Sequence, residues 1–552
     1  MKNTPFYSLK QIVACVTLSI VTCMLAACGS DKPVEEPEKP NVEQPTDNPT
    51  DVPTNTPTIW DDQGWITATE AIQDMGLGWN LGNTLDACDF SKGFGAADWK
   101  SWETCWGQPV TSPELLQMIK DAGYGAVRVP ITWKGHLDAN GKVNAQWMNR
   151  VKQVVDYVMN TGMYCIINVH HDTGADENAW LVASMKRYNE NKTLYEGLWK
   201  QIAETFIGYD ERLMFESYNE MLDERRSWCF STFAGGYDTK EAADAYKAIN
   251  SYAQSFVDVV RATGGNNVGR NLIVNTYGAC NGGGTWNPHL IDPLVEMKLP
   301  TDVVENHLIF QVHTYPDITN LDNAKAEVSS MIANLKKYLV TKGAPVIIGE
   351  WGSGGESQFT VESKSAFIYD FVKQAKAADM GIYYWMGISD ATARQLPAFN
   401  EPEYALAMLK AYHGDDYSPE LPTMDNMEYD YVVTYNALWS EANLCNQEFS
   451  LDNYKGIKIE LGEKPQNGTL NIKVYGESEG DEQYSSVADA ESVLTFDKTI
   501  LGEDVRRITL QCMVDAQVKA TIKRIVLIKT DDTEEVQTPS VFWGCTIDLQ
   551  KK

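Results

Sequence analysis

Positive charge is what this chain has least of. Its 552 residues hold 46 Lys and Arg against 76 Asp and Glu, a formal net charge of −30. Nucleic acid and anionic lipid are gripped by clustered Lys and Arg, so the deficit disfavours both, while an uncharged polymer such as a neutral polysaccharide is compatible with it. Metal-type cysteine spacing is also missing: none of the eleven cysteines forms a CxxC pair, which argues against a structural zinc site. The turn Gly76-Leu-Gly78-Trp-Asn80 lacks the Gly-rich pattern that cradles a dinucleotide phosphate, so a doubly wound open sheet is the weaker architecture. Material for cores is not short. At 43% apolar residues, a chain of this length fills one large domain and a smaller one.

Residues 1–27 read as an export signal: Lys2 and Lys10 flank its start, an apolar stretch runs from Ile12 to Leu25, and Leu25-Ala-Ala-Cys28 follows. The stretch is shorter than the roughly 20 residues of a bilayer-spanning helix. The tetrad resembles the bacterial lipobox, which implies that Cys28 becomes the lipidated first residue of the mature protein and its membrane anchor. The acidic residues soon after Cys28 resemble surface-export signals of bacterial lipoproteins, so the expected location is the outer membrane and cell surface, or the periplasm. Residues 28–59 form a linker, in which seven prolines alternate with Glu, Asp, Thr and Asn, an extended tether with almost nothing to bury. Cys88 and Cys105 are a candidate pair in an oxidising compartment, and Cys165, inside an apolar run, reads as a small core residue.

From there strand-like runs alternate with amphipathic helical stretches. Strands are expected at 75–81, 125–129, 164–169, 213–218, 271–276, 308–313, 345–349 and 382–385. Helices are expected near 113–122, 146–161, 192–207, 240–263, 287–297, 322–341, 361–378 and 402–412. This alternation predicts an α/β fold, a (β/α)8 TIM barrel over residues 60–415. Past residue 418 the helical period stops. Runs at 432–438, 456–461, 469–475, 492–496, 507–513 and 520–528 alternate apolar and polar residues, which predicts a smaller all-β sandwich over residues 418–552. It loosely resembles the jelly-roll modules appended to bacterial polysaccharide-degrading enzymes. Carbohydrate binding, with Trp439, Tyr475, Tyr484 and Trp543 as candidate aromatics, and bracing of the barrel are equal readings of it.

In a TIM barrel the reactive residues gather at the carboxyl ends of the strands. Those ends carry Arg128, His170 and His171, Asn219 and Glu220, His313 and Tyr315, Glu350, and Trp385. Glu220 and Glu350 close the fourth and seventh strands, which face each other across a barrel mouth, and two opposed carboxyl groups are the equipment of glycosidic bond hydrolysis. In the retaining form one is acid and then base, the other is the nucleophile, and they lie about 5–5.5 Å apart. Arg128 supplies a permanent charge that keeps Glu350 ionised; a salt bridge to the buried acid Glu216 is its bland role, and both can coexist. Asn219 suits a sugar 2-hydroxyl and Tyr315 suits Glu350. His170, His171, His313 and Asp172 invite a metal, but adjacent histidines on a strand point to opposite faces, and hydrogen bonding to sugar or carboxylate is the stronger reading. No metal and no cofactor is expected. Trp385 is the expected indole platform for a sugar ring, with Trp286 and Trp180 as further candidates on the rim; Trp133, Trp228 and Trp351 have weaker claims.

These residues sit in motifs. Met75-Gly-Leu-Gly-Trp-Asn-Leu-Gly-Asn-Thr-Leu-Asp86, Val127-Arg-Val-Pro130, Asn168-Val-His-His-Asp172, Glu216-Ser-Tyr-Asn-Glu220, Val312-His-Thr-Tyr-Pro316, Ile348-Gly-Glu-Trp351 and Tyr384-Trp385 together resemble glycoside hydrolase family 5, the cellulase family, and within it subfamily 4. The resemblance covers about residues 71–413. It implies Glu220 as acid/base, Glu350 as nucleophile, Arg128, His170, Asn219, His313, Tyr315 and Trp385 as the supporting set, and draws in Asn83 and His171 from the same motifs. It further implies a retaining endo-β-1,4-glucanase acting as a monomer on plant cell-wall β-glucan, with xyloglucan, mixed-linkage glucan and xylan as open alternatives. A non-catalytic surface glycan-binding lipoprotein is the reading from another class. The segment Met221-Leu-Asp-Glu-Arg-Arg226 departs from the familiar pattern beside the cleft and leaves the substrate unfixed.

Overall fold

The structure is a computed structural model that describes residues 65–228, 237–284, 287–354, 359–424, 427–445 and 447–552. The export signal, Cys28, the whole linker and Trp286 lie outside them. Eight parallel strands, β1 (Leu77–Asn80), β2 (Ala126–Val129), β3 (Tyr164–Asn168), β4 (Leu213–Glu216), β5 (Leu272–Asn275), β6 (Leu308–Thr314), β7 (Val346–Trp351) and β8 (Gly381–Tyr384), pair in chain order, and β8 returns onto β1 to close a barrel. Every strand residue is buried. Helices cover the outside and side chains fill the inside, so no face of the sheet meets water.

Inward positions change character along the barrel axis. Ala126, Ile166, Met214, Ile273, Ile309, Ile347 and Tyr383 form an apolar layer near the bottom, which the helix Ala68–Asp74 seals through Ala68, Ala71 and Ile72. Two residues further along the same strands the interior turns polar, to Arg128, Asn168, Glu216, Asn275 and Gln311, all essentially without exposure. Side chains two apart on a strand share a face, so this polar layer lies directly beneath the mouth. Gly349 makes room for it: a Cβ there would come within 2.3 Å of the Gln311 side chain.

The C-terminal region holds a five-stranded and a six-stranded antiparallel sheet, with a small two-stranded one, and a separate apolar core that includes Ile457, Ile459, Ile472, Val474, Leu510, Ile525 and Leu527. It meets the barrel where Ala393, Leu396 and Ala398 pack with Met424, Met427, Tyr429 and Leu549, and the Leu549 backbone N–H donates to Gln395 Oε1 at 3.1 Å. Strands Glu441–Cys445, Glu482–Ser486 and Ser540–Trp543 were not anticipated. Two of them form the edges of their sheet; Ser540–Trp543 is exposed at three successive positions and Glu482–Ser486 is polar at every position but Tyr484, so neither shows an apolar–polar alternation. Among the barrel helices the expected stretch 287–297 contracts to Asp292–Glu296, while Ala68–Asp74 and Trp99–Thr104 are additional. Cys88 and Cys105 are free thiols and not a pair. Cys280, by contrast, is disulfide-bonded.

Candidate active site

Arg128, on β2 and fully buried, sits under the mouth and spends all five of its N–H groups. Nε and Nη2 donate to the two oxygens of Glu216 at 2.6 and 2.8 Å, Nη2 also to Asn219 Oδ1 at 2.8 Å, and Nη1 to Asn80 Oδ1 at 3.0 Å and Glu350 Oε1 at 2.7 Å. Burial alone would raise the Glu216 carboxyl, yet Arg128 outweighs it and holds the group below its ordinary value. Asn168 and Asn275 add donors to Glu216 Oε1 at 3.1 and 3.3 Å. Asn80 is pinned from the other side, its amide donating to the carbonyls of Gly349 and Tyr383 at 3.0 and 3.1 Å. With Oδ1 of Asn219 turned to Arg128, its NH2 end is the one presented to a sugar hydroxyl.

Glu350, near the end of β7, accepts from Arg128 and, at 2.9 Å, from the Tyr315 hydroxyl. Glu220, four residues past β4, has no such cation; His313 Nδ1 lies 2.8 Å from its Oε1 and 3.5 Å from Glu350 Oε2. One oxygen of each glutamate and the His313 nitrogen all lie within 4.8 Å of one another. Burial pushes the Glu220 carboxyl up to about 7. Glu350 is raised by burial as well, with His313 and Arg128 opposing it. Two direct donors, one of them a guanidinium, make Glu350 the member of the pair that carries the negative charge.

Burial lowers His313 to about 4, so its ring is neutral. Gln311 Nε2 lies 3.4 Å from His313 Nε2. A neutral ring that accepts there carries its one proton on Nδ1, aimed at Glu220. Burial likewise drives His170 well below its ordinary value; it takes a hydrogen bond from Asn168 at its Nδ1, 3.1 Å away, and turns Nε2 toward Glu350 Oε1 at 3.9 Å. The Trp385 indole lies parallel to the His170 ring at 6.0 Å and over Gly82, where a Cβ would meet it at 2.9 Å. Glu220, His313 and Glu350, and separately Asp86, His170 and His171, are close enough to hold a metal ion. In the first group His313 Nδ1 is already hydrogen-bonded to Glu220 Oε1 at 2.8 Å, an arrangement suited to holding and moving a proton.

The cellulase model of glycosyl hydrolase family 5 matches residues 89–388. The chain belongs to that family. Endoglucanase A of Clostridium longisporum is 34% identical over 332 residues, 58% of this chain and 59% of its own length. Endoglucanase B of Neocallimastix patriciarum is 32% identical over 334 residues, 58% of this chain and 65% of its own. The chain thus spans less than two thirds of either curated relative. Among solved structures, a GH5-4 broad specificity endoglucanase from an uncultured bacterium is 52% identical with a TM-score of 0.61, covering 64% of this chain and 98% of that one. A family 5 enzyme of Prevotella bryantii B14, solved in complex with a xyloglucan tetradecasaccharide, is 40% identical with a TM-score of 0.57, covering 64% of this chain and 100% of that one.

Within this family 5 barrel, the expected residues Arg128, His170, Asn219, Glu220, His313, Tyr315, Glu350 and Trp385 come together at one mouth. His171 turns aside: its Nε2 lies 3.6 Å from Asp86 Oδ2 and its ring meets the edge of Trp106 at 5.2 Å. Trp180 spends its indole N–H on Asp172 Oδ1 at 2.6 Å and packs partly buried against the core. Asn83 sits in the turn after β1 with φ 58°. Trp133 and Trp351 are fully buried, not rim residues, and Trp228 is exposed. Sequence reading missed Asn80, Asn168, Asn275 and Gln311. Only Asn168 and Gln311 carry a partial signal, each standing two residues before a histidine of the site, His170 and His313, in a run otherwise apolar.

Proposed function

We propose that the protein is an endo-acting β-1,4-glucanase that works with retention of anomeric configuration. The observation that carries this is the opposed pair at the mouth, two carboxylates with oxygens within 4.8 Å, one bonded to Arg128 and the other not. That separation is closer to the roughly 5–5.5 Å between carboxyl groups of retaining enzymes than to the roughly 6.5–9.5 Å of inverting ones. Glu350 attacks the anomeric carbon as Glu220 gives its proton to the departing oxygen. Glu220, now ionised, takes a proton from water, which attacks the same carbon and releases Glu350. Asn219 binds the 2-hydroxyl as charge builds beside it, and Trp385 carries the ring.

Support for the substrate comes from relatives named endoglucanase, from a neighbour described as of broad specificity, from the one solved with xyloglucan, and from a lichenase of Caldicellulosiruptor sp. F32 at 29% identity and TM-score 0.55. We therefore take unbranched β-1,4-glucan, mixed-linkage glucan and xyloglucan as substrates of one cleft. Intact Glu220, Glu350 and Arg128 speak against a barrel that only holds glycan. The protein would act as a lipid-anchored monomer at the outer membrane, a reading supported by Leu25-Ala-Ala-Cys28 and the Pro-rich tether. Proton NMR of the first products from cellotetraose tests the mechanism: the β-anomer appears first if it is right, and initial α-anomer overturns it.

A further inference from the structure

The outer face of the five-stranded sheet is polar at its centre and aromatic at both edges. Its strands lie in the order Glu482–Ser486, Leu470–Tyr475, Arg507–Cys512, Glu441–Cys445, Ser540–Trp543. Leu470, Ile472, Val474, Ile508 and Leu510 point into the sandwich core, so the residues between them point out. Register then sets Tyr484 beside Lys473 and Thr509, and Gln511 beside Glu441 and Trp543.

At the centre Glu441 is only 6% exposed, although it stands on the solvent side of its strand. Its carboxylate accepts from the Tyr475 hydroxyl at 2.7 Å, the Thr509 hydroxyl at 2.9 Å and Gln511 Nε2 at 2.6 Å, with Lys473 Nζ at 3.9 Å. A charge buried this far is tolerable only when its lone pairs are met, and meeting them fixes Tyr475, Thr509 and Gln511 in place. At the edges Tyr484 is 50%, Phe542 40% and Trp543 55% exposed. The Arg507 guanidinium lies 3.9 Å over the Phe542 ring, which holds that ring against the sheet.

Exposed aromatics on both edges of a row of ordered polar groups are unusual for a solvated sheet face and point to an interaction site, and the charge on the face says what kind. Lys473 and Arg507 are matched by Glu441 and Glu482, the last 3.2 Å from Lys473. In a chain of net charge −30 this face is neutral and attracts neither a polyanion nor a polycation. Flat rings for the apolar faces of sugars, with fixed hydroxyl and amide groups between them for hydroxyls, fit a neutral glycan. Four inter-strand steps give roughly 19 Å between the edge strands, the reach of several hexose units in an extended chain. The barrel is attached through strands of the other sheet, at Tyr429 and Leu549, so this face looks outward. We propose that it binds an extended neutral β-linked glycan, at a site separate from the catalytic mouth. Only the choice of β-glucans as probes rests on the glucanase reading.

The test is native affinity electrophoresis of the full chain carrying Glu350→Gln, so that the gel polymer is not consumed. Barley mixed-linkage glucan, xyloglucan and hydroxyethylcellulose are the probes, and polygalacturonate the charged control. Adding Tyr484→Ala and Trp543→Ala should weaken retardation by neutral glucan roughly fivefold or more, the effect of losing central aromatic contacts. Both side chains are half exposed, and unfolding temperature reports that the variant is intact. With Glu350 restored, the same double variant should hydrolyse cellotetraose at the unchanged rate. Equal retardation of the two proteins, retardation in polygalacturonate alone, or none in any neutral glucan overturns the site. Failure to hydrolyse cellotetraose would instead count against the glucanase reading, independently of the gel.

Discussion

Arg128 and Glu216 face each other through two parallel hydrogen bonds of 2.6 and 2.8 Å, with neither side chain exposed to solvent. The pair is the foundation on which Glu350, Asn219 and Asn80 are arranged, since the remaining N–H groups of the same guanidinium reach all three. Replacing Arg128 by Met should cost about 3–5 kcal/mol of stability, the penalty for stranding a buried charge. Urea denaturation measures it. The double variant Arg128→Met with Glu216→Gln should recover much of that loss and none of the activity, because Glu350 stays without its cation. Recovery of turnover in the double variant would contradict the role given to Arg128.

Glu220 links the site to stability as well as rate. Its folded value of about 7 lies above that of an unfolded glutamate, so the fold favours the protonated form. Its contribution is fully present below about pH 4.5 and is lost as pH rises through about 7, up to roughly 3 kcal/mol. Glu220→Gln removes that dependence. The variant should therefore unfold at a temperature close to the parent's at pH 4.5 and above it at pH 8, by scanning calorimetry. A gap that fails to widen with pH would mean that Glu220 is not raised.

The same ionisation shapes the rate. Glu220 must be protonated and Glu350 ionised in the free enzyme, so kcat/KM should fall about tenfold per pH unit above pH 7 and fall again at low pH as Glu350 is protonated. In Glu220→Ala, aryl glycosides with good leaving groups need no acid. They should lose the alkaline limb, accumulate the glycosyl-enzyme and be rescued by azide, with a β-glycosyl azide as product. Glu350→Gln should lower turnover on every substrate by several orders of magnitude, without azide rescue.

Much of this arrangement was legible in the residues. The eight barrel strands fall where apolar runs of strand length end in polar residues, because a strand buried on both faces has nowhere else to put them. Arg128 was readable in both its roles because a guanidinium has more donors than one carboxylate can use. The amides Asn80, Asn168, Asn275 and Gln311 were not seen, since a single Asn in an apolar run looks the same whether it points inward or outward until the register is known. Trp180 shows the converse: a loop indole reads as a sugar platform, and only the structure reveals Asp172 at its N–H. In the sandwich, edge strands with polar or exposed residues on both sides carried no period to read.

Gln311 gives the sharpest test of the acid. By donating to His313 Nε2 it leaves the proton on Nδ1, which donates to Glu220 Oε1, and the acidic proton of Glu220 must then sit on the other oxygen, toward the substrate. Gln311→Glu keeps the shape but accepts where Gln donated, which moves the ring proton to Nε2 and turns Nδ1 into an acceptor for the Glu220 proton. Hydrolysis of cellotetraose, which needs that proton, should fall roughly tenfold to a hundredfold, within the range general acid catalysis supplies. Glycosides with good leaving groups should be nearly spared in the first step, and Gln311→Met should lie between the two. A purely structural role for Gln311 would lower both substrates alike, and that equal loss would dismiss the tautomer argument.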